Sequence, residues 1–413
     1  MIRLIRVELW KLLCKKHLWI ILLALTVFWC YFIGYTQWKA IRTCPIRQDT
    51  KKYLADISGP LTQEKFENIL FDYQLIQEGS LYTIDVTEIP LGDTGHFTIN
   101  PFADWILMSS VKAHAEYIVN ESKNRKIIIE QAQRNIERLH RENGSLFNIR
   151  ENEKIVEMYQ NAEELVLTQA DNGWKFYFNE NNHTILLLIF LLVLLTPVFA
   201  GEYESGAFSI VFSSKSGRDK TALAKLFSAC IISIITASYF ETVNYLCFSI
   251  SYYMVNFSLP VRNIEAFSTS PFNFSIGQFV LIKYAFFTLY SVACGLLICF
   301  LSKFFSKSVP TLISGAVVLG SSYGISYYFT APLYIVGEIP LELRNTGEAM
   351  QKWVFSFLVH PNVYFNQFAV INFANYPIFT YWIIIVTTVI TCLFFGSLTF
   401  GLYTKNFTLR MLR

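Results

Sequence analysis

Apolar residues in this chain fall into long charge-free runs parted by polar segments, and the run lengths predict the elements. Leu18–Trp38 and Asn181–Gly201 each lack Asp, Glu, Lys and Arg over 21 residues. Leu226–Val261 is broken only by Glu241, and Ala266–Ser302 only by Lys283. Ser308–Gly337 carries no formal charge over 30 residues and Trp353–Thr404 none over 52, with its most continuous apolar stretch at Ile378–Tyr403. A helix needs about 20 apolar residues to cross the hydrocarbon core, so six spans are predicted. Leu18–Trp38 is too long for the apolar core of a signal peptide and no small-residue cleavage site follows it, so it reads as a retained span.

The polar stretch between the first two spans, residues 39–180, is long enough for a core of its own. Within it Thr62–Gly79 has helical spacing, and Tyr82–Asn100 reads as strand and turn, with Val86, Ile89 and Leu91 near Pro90 and Gly92. Ala103–Arg141 and Phe147–Ala170 read as two helices parted by Asn143-Gly144. Ile118, Ile128, Ile129, Ile136 and Leu139 mark the apolar face of the first, and Ile155, Met158, Ala162, Leu165 and Leu167 that of the second. An antiparallel helical hairpin follows. The predicted fold is an α-helical polytopic membrane protein with six transmembrane helices and a mostly helical extracellular domain.

Composition agrees with the pattern. Hydrophobic types make up 53% of the chain and charged types 16%, against about a quarter charged in a soluble protein. The net charge of +3 supplies no field for nucleic acid, and its distribution says more than its sum. Arg3, Arg6, Lys11, Lys15 and Lys16, then Lys215, Arg218, Lys220 and Lys225, then Lys303 and Lys307, and finally Lys405, Arg410 and Arg413 all fall on one side of a six-span chain. These 14 basic residues face only Glu8, Glu202, Glu204 and Asp219, whereas the rest of the chain has 20 basic and 27 acidic residues. The positive-inside bias therefore predicts a cell-membrane, multi-pass chain with both termini cytoplasmic. The expected division is a cytoplasmic amphipathic segment at 1–16, the first span at 17–38, the extracellular domain at 39–180, and spans two to six at 181–413 with a cytoplasmic loop at 202–225.

Candidate chemistry is sparse. Of eight cysteines only Cys44 lies in the 39–180 domain, so it is a free thiol or bridges to another chain. His17, His96, His114, His140, His183 and His360 are scattered, and no Cys or His pair has metal-ligand spacing. Gly217–Thr221 fails as a phosphate loop, because Asp219 precedes Lys220-Thr221 and no glycine stands five residues earlier. No catalytic residue, metal site or bound cofactor is expected, and an enzyme is the least supported of the function classes.

The segment from Gly201 to Lys225 is the informative one. Glu202 and Glu204 stand at a membrane exit, Gly206 follows, Ile210, Val211 and Phe212 form an apolar turn, and Arg218 and Lys225 lead into the third span. Here the chain resembles the permease subunits of type 2 ABC transporters, in which an acidic and glycine-containing segment, a short interfacial helix, an Arg and a Lys follow the second span. Ala207 replaces the family's usual threonine, and Ser214–Ser216 lacks the proline common before the arginine. Met1–Lys16 is similar to the family's interfacial elbow helix, and a subset of the family carries a large outer domain between its first two spans. The resemblance implies an ATPase-coupling loop made by Glu202, Glu204, Gly206, Arg218 and Lys225. It also implies two copies of a separate ABC ATPase that uses ATP and Mg, a second and identical permease subunit, and outward export of an amphipathic or hydrophobic substrate such as a peptide, a drug-like lipophile or a lipid. The alternative is an ABC-type sensor or mechanotransmission subunit whose outer domain detects a ligand or acts on the cell envelope.

Inside the spans Glu241 lies 16 residues beyond Lys225 and Lys283 lies 20 residues before Lys303, or about 24 and about 30 Å from the same side. They reach similar heights, as a structural pair or as part of a translocation path. Gly320 and Gly324 give the fifth span a small-residue face suited to close helix packing. In the resembled family the first and fifth spans form the permease dimer, which implies subunit packing there. Pro197 predicts a kink in the second span, and Trp353–Tyr376 predicts short re-entrant or interfacial helices before the last span.

Overall fold

The structure, a computed structural model, describes residues 1–43, 57–81, 89–91, 95–97, 101–167, 171–213, 217–252, 254, 256–330 and 341–405. Cys44, Val86, Gly92, Ser214–Ser216, Arg410 and Arg413 lie outside the described residues. The chain is an α-helical polytopic membrane protein, and among the described residues six helices are long and apolar enough to span. A short helix α1 (Ile2–Leu13) precedes the first span, α2 (Lys16–Thr43). The region between the first two spans holds α3 (Gln63–Leu81), α4 (Pro101–Arg141) and α5 (Leu146–Gln160), with short strands β1 (Gly59–Pro60), β2 (Ile89–Leu91), β3 (Gly95–Phe97) and β4 (Val166–Leu167). A bridging helix α6 (Asp171–Asn179) leads into the second span, which is broken into α7 (His183–Leu195) and α8 (Pro197–Glu204). After α9 (Phe208–Ser213) come the third, fourth and fifth spans, α10 (Gly217–Tyr252), α11 (Ile276–Phe305) and α12 (Ser308–Thr330). Helices α13 (Leu341–Met350) and α14 (Asn362–Phe365) and a hairpin of β5 (Val370–Phe373) and β6 (Tyr376–Phe379) precede the last span, α15 (Thr380–Thr404).

The second span is apolar all round, which is the mark of a helix surrounded by other helices. In the structure 72% of it is buried, against 17% of the first and last spans and 22% of the fifth. Helices α7, α10 and α11 are thus the inner members of the bundle. α10 packs along α11, and α11 also meets α12 and α15. α1 lies across the start of α10, where Ser228 donates to the Ile5 carbonyl. The α8–α10 segment, the start of α12 and the end of α15 share that face, here termed the terminal face. The opposite one is the domain face. α11 starts there with a capping box, in which the Ser275 hydroxyl accepts from the Gln278 N–H and the Gln278 side chain accepts from the Ser275 N–H.

The domain between the first two spans is the expected helical hairpin of α4 and α5 with α3 packed against α4. Its turn at Asn143-Gly144 is tight: a Cβ on Gly144 would come within 2.6 Å of the Leu139 side chain. A small core of Ile69, Val111, Ala115, Ile118, Leu165 and Leu167 closes it near the membrane. Two expectations need correction. The helix predicted over Phe147–Ala170 stops at Gln160, and Val166–Leu167 pairs antiparallel with Gly59–Pro60 instead. Leu165 and Leu167 are buried with Val166 between them more exposed, a period of two that a helical reading absorbs when three residues decide it. The Trp353–Tyr376 segment holds a 3-10 turn at Phe355–Val359 and α14, but its later half is the β5–β6 hairpin. Ala374 and Asn375 turn that hairpin with positive φ at both positions, as a two-residue hairpin loop requires.

The domain is fastened to the segments joining the spans. Arg262, in the connection between α10 and α11, is fully buried and ion-paired with Glu121 of α4, and its carbonyl accepts from Tyr117. Tyr159 of α5 donates to the Thr269 carbonyl at 2.6 Å. Arg150 donates to the Asn375 carbonyl at 3.0 Å and lies over the Tyr376 ring. Breaking a buried ion pair by removing one partner costs about 3–5 kcal/mol. Glu121→Gln is therefore expected to lower stability by about 3 kcal/mol and to speed hydrogen exchange in α4, whereas Glu121→Gln with Arg262→Met recovers most of the loss. An unchanged exchange rate in the single variant would show that Arg262 does not hold the domain.

Candidate functional site

The 202–225 segment begins at a helix break. Pro197 has no N–H and starts α8 at its first position, where a missing donor is harmless. The groups the break leaves open are met by neighbouring helices. Ser302 of α11 donates to the Thr196 carbonyl at 2.6 Å and accepts from the N–H groups of Phe199 and Ala200. Lys225 of α10 donates to the Val198 carbonyl at 2.6 Å.

Lys225 is the hub of this face. Its ammonium lies 3.0 Å from Glu202 and 3.3 Å from Glu8, with its side chain 4% exposed. Glu202 also accepts from the Tyr403 hydroxyl at 2.9 Å, which brings in the end of α15. Glu8 pairs further with Lys11 at 2.8 Å. Burial pushes the Glu8 carboxyl up, but Lys225 and Lys11 outweigh it and hold the group below its ordinary 4.5. Glu204 takes both the N–H and the hydroxyl of Ser308 at 2.7 Å, so it caps the start of α12. Lys303 contacts the Tyr203 hydroxyl and lies 4.4 Å from its ring centre.

Gly206 turns the chain from α8 into α9 with φ +73, a conformation that glycine adopts without strain. The inner side of α9 is aromatic: Phe208 stacks on Tyr203 at 4.7 Å and Phe212 meets Tyr403 at 5.2 Å. Arg218 lies over Phe212 at 5.6 Å. Ile210 points away and is 76% exposed, flanked by exposed Ser209 and Ser213, and the first turn of α10 carries exposed Asp219 and Lys220. The expected coupling residues are thus brought together, with their roles redistributed. Glu202, Glu204 and Lys225 are spent on fixing the loop, Phe212 packs inward, and Ile210 is the apolar side chain left outside.

The two intramembrane charges meet. Glu241 and Lys283 lie 3.2 Å apart with side chains at most 2% exposed. No spacing in the chain places a histidine or tyrosine with them, and both are present. His183 Nε2 lies 2.7 Å from the second Glu241 oxygen, and the Tyr177 hydroxyl donates to the first at 2.8 Å. Lys283 also donates to the Tyr177 carbonyl at 2.8 Å and sits 3.9 Å above that ring. The histidines are therefore not all bystanders, as their scatter had implied. Tyr177 reaches the site because α6 packs into the bundle core through Trp174, Tyr177 and Phe178, so this end of the 39–180 segment belongs to the membrane body. The one sequence signal was His183 itself, an ionisable residue opening a charge-free run. Both carboxylate oxygens of Glu241 are occupied, which is the arrangement of a lock joining α6, α7, α10 and α11.

Gly320 and Gly324 face open space among the described residues: a Cβ at either would have no heavy atom within 4 Å. They lie on the outward side of α12 with Ile313 and Val317. Among the described residues no group of three or more His, Cys, Asp or Glu side chains is arranged to hold a metal ion.

Two predictions follow from these clusters. Lys225→Met strands Glu202 and leaves Glu8 with Lys11 alone, and is expected to cost about 3–5 kcal/mol, read as a lowered unfolding temperature in detergent; Arg218→Gln, whose partner is the half-buried Phe212 ring, is expected to cost under about 1 kcal/mol. Glu241→Gln and Lys283→Met are each expected to destabilise strongly, and the double variant to recover most of the loss because no unpaired charge remains. A double variant as unstable as the sum of the singles would remove the pair from the list of locks.

No known protein family, curated protein or solved structure matches this chain.

Proposed function

We propose that the chain is the permease subunit of an ABC exporter, placed in the cell membrane with the terminal face in the cytoplasm. It works with two copies of a separate ABC ATPase, which uses ATP and Mg, and with a second, identical permease, and it moves an amphipathic or hydrophobic substrate outward. The observation that carries the reading is the α8–α9–α10 turn. A six-residue helix follows a loop fixed by Glu202, Glu204, Lys225 and Tyr403 and leaves Ile210 exposed, with exposed Asp219 and Lys220 opening the next helix. A fixed apolar knob with charges of both signs beside it is what a docking element needs, because the knob supplies affinity and the charges set register. The excess of basic residues on this face agrees with a cytoplasmic side. The unfilled small-residue side of α12 at Gly320 and Gly324 offers the second permease a place for close helix packing.

A sensor or mechanotransmission subunit is the second reading, and one observation favours it. The domain is tied to both connections on the domain face, through Arg262 and Thr269 on one and Asn375 on the other. Movement of the domain therefore moves the spans, as a transmitter requires.

Ile210→Asp tests the docking role without touching the groups that fix the loop. Membranes containing the variant and the ATPase are expected to lose ATPase association by about tenfold or more, the usual cost of removing a central anchor, while insertion and stability of the permease stay normal. Full ATPase capture by a stably inserted Ile210→Asp variant would remove this loop as the docking element. The chain purified alone is expected to hydrolyse no ATP.

A further inference from the structure

A groove lies under the elbow between α1 and α2, on the flank of α7 and α10. Leu18, Leu22, Phe190, Leu194, Ile232 and Ile235 form most of its wall, and its cavity volume is about 240 Å³. An apolar cavity of about 150 Å³ takes a benzene ring and stays dry when empty, so this groove has room for roughly nine or ten carbons at that ratio. Its lining runs along α10 from Ile232 to Tyr239, a rise of about 10 Å. The shape is that of a slot along the helices, within the spanning part of α2, α7 and α10.

The polar side chains of this wall ask little of an occupant: Thr236 is 5% exposed, and Trp19 and Tyr239 are bonded within the chain. The Trp19 indole donates to the Leu13 carbonyl at 2.8 Å. The Tyr239 hydroxyl shares a hydrogen bond with Thr26 at 2.8 Å, and Thr26 donates on to the Leu22 carbonyl at 2.8 Å. An occupant of the slot is therefore asked for no hydrogen bonds, which selects hydrocarbon.

The mouth has the opposite character. Lys15, Lys16 and His17 occupy the elbow itself, with Lys16 and His17 exposed and Lys15 half-buried, and Arg3 and Arg6 are exposed on α1. Glu8 is the one acidic residue of α1, and its charge is taken up by Lys225 and Lys11. Positive charge at headgroup height above a hydrocarbon slot is complementary to an anionic amphiphile of the bilayer. We propose that the groove binds one acyl chain of an anionic phospholipid from the leaflet at the terminal face, with its phosphate held at the Lys15–His17 elbow. The lipid then acts as a wedge between α2 and the inner helices. The proposal does not depend on the exporter reading.

The test uses the full chain in detergent, titrated with phosphatidylglycerol and with phosphatidylcholine of the same acyl chains and followed by native mass spectrometry. In a second arm, phosphatidylglycerol carrying a photoreactive group within one acyl chain is crosslinked and the modified peptides are mapped. The wild-type chain is expected to retain one phosphatidylglycerol at about a tenfold lower concentration than phosphatidylcholine, a preference of the size that two basic residues near a surface supply. Crosslinks are expected on peptides that contain Leu22 and Ile235. Leu22→Trp fills the slot and is expected to abolish the retained lipid, whereas Lys15→Gln with Lys16→Gln keeps a bound lipid but loses the preference. Equal retention of the two lipids by the wild type overturns the proposal, as do crosslinks confined to other helices, or unchanged retention by a Leu22→Trp chain with wild-type unfolding temperature. Should Leu22→Trp fail to fold, the wild-type crosslink map decides alone.

Discussion

Hydrocarbon offers no partner to a charge or to an open backbone group, and each irregularity in this bundle is sited where a neighbouring helix supplies one. Pro197 interrupts the second span, and the exposed carbonyl and N–H groups are taken by Ser302 from α11 and Lys225 from α10. Glu241 stands within the third span, and His183, Tyr177 and Lys283 come to it from α7, α6 and α11. An isolated charge at the centre of a membrane helix costs about 3 kcal/mol on insertion scales, so neither cluster survives if one contributing helix shifts by a turn. The register of α7, α10 and α11 is set by these polar stitches. The apolar side chains around them fill space, but they would tolerate sliding.

The sequence carried the six spans because run length alone decides a span, and span ends moved where a charged helical turn extends the apolar run, as at Gly217–Lys225, or where a charge-free stretch belongs to a connection, as over 266–275. It also carried the meeting of Glu241 and Lys283, because both heights could be counted from the same side. It did not carry His183 and Tyr177, since their place depends on α6 folding back into the bundle, a tertiary event that no spacing encodes. The acidic residues of the loop were legible as a group but not in their tasks. Glu204 became a helix cap because Ser308 happens to begin α12 beside it, and contact of that kind lies about a hundred residues away in sequence. In the domain, the alternating leucines at 165 and 167 fit helical and strand periods alike over so short a stretch, and the pairing of Val166 and Leu167 with β1 decides for strand.

Spending the loop charges internally changes what the terminal face can do. A docking surface built on Glu202 and Lys225 would have to break a buried pair before meeting a partner, at a cost larger than most exposed charge contacts return. With these charges held inside, the loop is preorganised, and little ordering entropy would be lost if a partner covered Ile210 as proposed. The same stitching joins α9 to α8, α10 and α15, so a push on α9 cannot be absorbed locally.

Where such a push would go is set by α10 and α11. At the terminal face their ends hold Lys225 and Lys303, nearer the domain face Glu241 and Lys283 bind one to the other, and on the domain face the connection between them carries Arg262, Thr269 and Asn273 into the domain. The pair is thus tied at both ends and once between them, while α2, α12 and α15 stand outside it with most of their surface free. Bending within a helix pair pinned at three heights costs more than tilting it as one body. Motion arriving at the loop is therefore best relieved by a rigid tilt of α10 and α11 that carries the domain with it, and the outer helices are the ones with room to repack.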